Sequence, residues 1–194
     1  MARGGTAQIW LSPDYYRRIQ HILSKGEIAN IDEGAAFKTL VHEFGHLLGK
    51  NIEGFLYKDY KGYRYTVEVV NDLWAYFELR RMARDLKIKI KVPMRPILEK
   101  SGYVREIERA VKILKAAGFR QDDIKRLVEY LNFSEETTEF IVRIEKAIAD
   151  KLGIEDLPPS VYRQFGDALH DEEIFTAYLK KIRELARENR KVRR

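Results

Sequence analysis

Two prolines, Pro93 and Pro96, break the apolar pattern of this sequence, and the pattern differs on either side of them. Beyond them, residues 102–193 space apolar side chains three and four apart, enough for about four or five amphipathic helices. Gly118 and Gly153 are natural helix stops there, and Ser134 and Asp171 natural caps. Ahead of the prolines the pattern is mixed. Thr6–Leu11 reads as a short strand closed by Ser12-Pro13, and Pro13–Leu23 as a helix with Tyr15, Ile19 and Leu23 on one stripe. Asp32 can cap a second helix running to about Leu48 and stopping at Gly49, with Phe37, Leu40, Val41, Phe44, Leu47 and Leu48 as its stripe. Residues 55–66, FLYKDYKGYRYT, suggest a tyrosine-rich hairpin turning at Lys61-Gly62. Thr66 can cap the helix that follows, and KIKIKV alternates as an edge strand protected by lysines. The fold expected is mostly α (α+β), with a lobe over residues 1–96 that holds a short sheet, and a helical region over 97–194.

Composition narrows the chemistry. The 194 residues include no Cys, so disulfides and thiolate chemistry are excluded, and any metal must be held by His, Asp, Glu or water. A formal charge of +6 permits contact with nucleic acid without demanding it. The first residues, MARGGTAQIW, lack a long apolar run, and every long window carries charges. A cytoplasmic protein that neither spans a membrane nor is secreted is therefore expected. Abundant Lys, Arg, Glu and Ile without Cys suit a protein from a hot habitat.

The chemistry sits in TLVHEFGHLLG, residues 39–49. His42 and His46 are four apart, so a helix presents both imidazoles on one face, one turn apart. Glu43 points slightly around the helix, toward where a metal-bound water would sit. A hydrolytic zinc site needs a third protein ligand and an open position for water. A third histidine following closely is excluded, because Ile52 stands where HExxHxxGxxH would require it. Glu68 lies 22 residues after His46, near the start of the next predicted helix, and Asp72 lies one turn further on the same face. A carboxylate at Asp72 can accept a hydrogen bond from the outer nitrogen of a zinc-bound histidine and fix its tautomer.

HEFGH followed by EVVND resembles the gluzincin metallopeptidases, the thermolysin-like clan, and the short chain is similar to their compact minigluzincin forms. The resemblance implies a zincin-like lobe with two zinc-ligand helices. It implies zinc held by His42, His46 and Glu68, Glu43 as general base and acid, and Asp72 supporting a ligand histidine. GGTAQIWLSPDYY resembles the clan's rim strand, which pairs with extended peptide substrate. The likeness covers roughly residues 4–84 and says nothing of the helical half. It also departs from the clan. Only one clear strand precedes the active-site helix, and no His lies between the ligand helices to serve the oxyanion. Tyr57, Tyr60, Tyr63 and Tyr65 are the candidates for that role, Tyr63 and Tyr65 foremost, unless these rings only pack a hairpin. The function implied is a zinc metallopeptidase, an endopeptidase acting selectively or under regulation on a peptide or protein.

The competing reading is a DNA-binding or protein-interaction helical protein whose zinc site is structural or inactive. LKAAGFRQDDIKRLVEYL, residues 114–131, is similar to a segment of MerR-type helix-turn-helix regulators, and the basic tail Arg190–Arg194 adds charge for nucleic acid. Asp122-Asp123 oppose phosphate at that end. His21 and His170 have no motif around them and are expected as surface or core histidines. The helix Ser134–Leu152, with Phe140, Ile141, Ile144, Ala147 and Ile148 on one stripe, is expected to pack on the lobe, which is too small to bury a sufficient core alone.

Overall fold

The computed structural model describes residues 9–48, 61–133 and 140–192, with the backbone alone at 61, 63, 64 and 190–192. Nine helices and one short parallel sheet form the regular structure of these described residues. They run α1 (Pro13–Lys25), β1 (Glu27–Ile28), α2 (Ile31–Leu48), α3 (Lys61–Asp85), β2 (Lys89–Ile90), α4 (Met94–Glu99), α5 (Val104–Ala116), α6 (Gln121–Phe133), α7 (Phe140–Leu152), α8 (Phe165–His170) and α9 (Glu172–Val192). The expected mostly α fold with a short sheet is what the chain adopts. Two compact units divide it, Met1–Gly49 with Trp74–Gly102, and Lys50–Leu73 with Tyr103–Arg194. The chain passes between them three times, after Gly49, after Leu73 inside α3, and after Gly102, a little beyond the Pro93–Pro96 break.

In the first unit Ser12 caps α1, its hydroxyl accepting from the Tyr15 N–H at 3.2 Å, and Pro13 fills the first turn, where no N–H is needed. Gly26 ends α1 in the left-handed region at φ 66°, and its carbonyl accepts from Lys89 N. That bond leads into the parallel pairing of Glu27 with Lys89 and Ile28 with Ile90. α2 packs on α1, on β1 and on α4. Gly34 makes the last contact possible, since a Cβ there would lie 2.5 Å from Ile97 Cδ1. Ile22, Ile28, Ala36, Phe37, Val41, Leu79 and Ile97 form the core of this unit.

In the second unit α5 ends at Gly118, φ 101°, with Phe119 N donating to Leu114 O and Gly118 N to Lys115 O. This two-bond pattern closes a helix on a left-handed residue. Gly153, φ 72°, ends α7, and the Asp171 carboxylate accepts from Glu173 N and Ile174 N at 2.9 Å to begin α9. These stops and this cap are as the sequence predicts. Ser134 lies outside the described residues. Inside the unit Glu145 is buried, accepting from Phe165 N at 3.0 Å and from Arg163 N at 2.6 Å. Burial pushes its carboxyl above the usual range.

Several expectations before Pro93 are corrected. Residues 9–11 of the predicted first strand carry no regular structure, and residues 6–8 lie outside the described residues. The strand that pairs with KIKIKV is Glu27–Ile28. The predicted hairpin turn at Lys61-Gly62 is the start of α3, and residues 55–60 lie outside the described residues. Aromatic density there imitates a strand, but helical pairing continues through it. Thr66 sits inside α3 instead of capping it, its hydroxyl donating back to Gly62 O at 2.7 Å. Asp32 is not the cap of α2. Asn30 is, accepting from Glu33 N at 2.9 Å, while Asp32 stays exposed and pairs with Arg18 at 3.5 Å and Lys100 at 3.3 Å.

Candidate metal centre

The start of α2 is held from both directions. Beyond the Asn30 cap, the Glu33 side chain turns back and accepts from Ala29 N at 2.7 Å. The same carboxylate meets His21 Nδ1 at 2.9 Å. Burial raises the Glu33 carboxyl, but the Ala29 N–H, the His21 imidazole and the Asn30 N–H outweigh it and hold it below its ordinary range. His21, which had no motif around it, is thus a partner of the helix start. Residues 33–38 are buried without interruption, Lys38 included. The sequence stripe missed Lys38, which lies one turn before His42 on the same face.

Three turns into α2 the two motif histidines meet. His42 Nε2 and His46 Nε2 lie 2.9 Å apart, with ring centroids 4.6 Å apart and planes at 78°. His42 is buried and His46 half-buried. Both Nε2 atoms therefore converge on one small volume. Two nitrogens on a tetrahedral zinc stand about 3.3 Å apart, so a slight rotation of the rings would seat an ion between them. His42, His46 and Glu68 each offer a ligand atom, all within 4.8 Å of one another, and the group could hold a metal ion. Two imidazoles and one carboxylate are a donor set that suits a borderline cation.

The remaining predicted residues have distinct surroundings. Glu43 is half-buried, and its carboxylate has no hydrogen bond or ion pair with another described residue. Asp72 is buried one turn beyond Glu68 and is engaged by its surroundings. Tyr65 stacks on His170, with centroids 4.9 Å apart, and meets Tyr103 edge-on at 6.3 Å. Tyr57 and Tyr60 lie outside the described residues, as does the side chain of Tyr63.

The part of α3 that carries Glu68 is built into the second unit. Val69, Val70 and Leu73 line a small apolar cavity together with Ile144 of α7 and Phe165 of α8. The helix expected to pack on the lobe is described from Phe140 on and shares this cavity with the Glu68-bearing stretch of α3 inside the second unit; residues 134–139 lie outside the described residues. At its start α3 crosses α8 with backbone on backbone, because a Cβ on Gly166 would fall 2.4 Å from Gly62 O. Neither Gly62 nor Gly166 could be read as a helix crossing from local sequence. Residues 69–75 are all buried, so this stretch of α3 shows no polar stripe.

No helix among the described residues is long and apolar enough to cross a membrane. Compared with protein-family models, with curated proteins and with solved structures, the chain finds no match in any of the three.

Proposed function

We propose that this chain is a zinc-dependent peptidase of the gluzincin type. The observation that carries the reading is the convergence of His42 Nε2 and His46 Nε2 beside Glu68, with the Glu43 carboxylate, which pairs with no other described residue, between the two histidines in sequence. His42 and His46 would hold the ion through Nε2, and Glu68 through a carboxylate oxygen. When bound, zinc supplies a Lewis acid that polarises the scissile carbonyl and acidifies water.

The chain's own groups do the rest. Glu43 takes the proton of the attacking water and delivers it to the departing amine. A carboxylate that pairs with no other described residue is suited to that exchange. Asp72 accepts the outer N–H of a ligand imidazole and fixes its tautomer. Tyr65 is the described tyrosine proposed to donate its hydroxyl to the oxyanion. The substrate is a peptide or protein, cut selectively.

The test is cleavage of a fluorogenic peptide library by the purified chain with and without a chelator. Chelator-sensitive cleavage that Glu43→Gln abolishes, with metal content unchanged, supports the reading. Activity that survives in Glu43→Gln removes it.

A further inference from the structure

A second candidate site lies in the first unit, at β2. An open groove there is walled by Arg80, Lys87 and Lys89 and floored by Ala83, Ile88 and Met94. The three cations are exposed, and none forms an ion pair with another described residue. Arg84, also on this groove, is partly offset by Asp85 at 3.6 Å. The strand beside them has one used edge. Lys89 N donates to Gly26 O at 2.9 Å and Lys91 N to Ile28 O at 3.0 Å, both toward β1. Alternate residues of an extended strand direct their N–H and C=O groups to opposite sides. The N–H and C=O of Ile90 therefore face the other edge, where no strand pairs with β2 among the described residues. Lysines on an edge can serve only to discourage pairing. Here they stand with Arg80 over an apolar floor, which repulsion alone does not require.

We propose that this groove binds an extended acidic peptide segment of a partner protein by strand addition to β2. The partner's backbone pairs with Ile90, its apolar side chains rest on Ile88 and Met94, and its carboxylates meet Arg80, Lys87 and Lys89. Backbone pairing selects a peptide over a nucleic acid, whose phosphates could use the cations but not the strand edge. The inference is independent of the metal centre.

The experiment is fluorescence anisotropy on the full chain with a short labelled peptide of alternating Glu and Val. Three comparison probes are the same peptide N-methylated at alternate residues, its Lys–Val counterpart, and a duplex DNA oligonucleotide. The Glu–Val peptide is expected to bind, more weakly as salt rises, and N-methylation should abolish binding because it removes the backbone donors. Lys87→Glu/Lys89→Glu should weaken binding about tenfold or more, with an unchanged melting curve to show that the variant folds. Equal binding of the N-methylated peptide would overturn strand addition. Tighter binding of DNA would overturn the choice of partner. No binding of any probe would leave the lysines as edge protection and overturn the site.

Discussion

The ring of Tyr65 lies against the imidazole of His170, with centroids 4.9 Å apart and planes 19° from parallel. Tyr65 precedes Glu68 by three residues on α3, so this stack ties the start of the ligand helix to α8. It also separates two roles that one tyrosine could play. Tyr65→Phe keeps the stack and removes the hydroxyl. If that hydroxyl serves the oxyanion, kcat should fall about 10²–10³-fold with stability unchanged. An unchanged kcat would make Tyr65 a packing residue only. His170→Ala should instead lower stability, by about 1 kcal/mol, as read from urea unfolding.

Metal content is expected at about one zinc per chain when the protein is purified without added metal. His42→Ala, His46→Ala and Glu68→Ala should each lose it, and Asp72→Asn should weaken it about 10–100-fold. Elemental analysis and competition with a chromogenic chelator read these values. Full zinc occupancy in Glu68→Ala would remove that residue from the ligand set.

Gly166→Ala should destabilise the second unit by about 1–3 kcal/mol or more, because the new Cβ meets backbone that cannot step aside. The atom it meets is Gly62 O, at 2.4 Å. Zinc affinity should fall along with stability, since the crossing sets the start of α3. A variant with a wild-type urea midpoint would rule out the close crossing.

Acid should loosen the start of α2. The Glu33 carboxyl is held below its ordinary value, so its contribution is present above the unfolded pKa of about 4.5 and is lost as pH falls through the lower folded value. Glu33→Gln should therefore flatten the fall in stability below about pH 4.5. Thermal melts across that range compare the two proteins. Parallel pH profiles would contradict the role given to Glu33.

Much of the site was legible locally. A four-residue spacing decides that His42 and His46 share a helix face whatever surrounds them, because 3.6 residues make a turn. The caps Ser12 and Asp171 and the stops Gly26, Gly118 and Gly153 also act within one turn of chain. Gly118, Gly153 and Asp171 stop and cap helices where the sequence places them, and the 102–193 periodicity forms the helices α5 to α9. Other features depend on partners far along the chain. β1 is two residues long and exists because Gly26 and Ile28 accept from Lys89 and Lys91. Lys61-Gly62 reads as a turn until Gly166 is placed against it. The burial of Lys38, and of α3 from Val69 to Ala75, comes from neighbours on several sides, which one helix's periodicity cannot announce. The sequence alone determined that His42 and His46 share one helix face, since helix geometry is local. Tertiary structure decided the pairing of β1 with β2 and the close crossing of α3 on α8, because each depends on a partner distant in the chain.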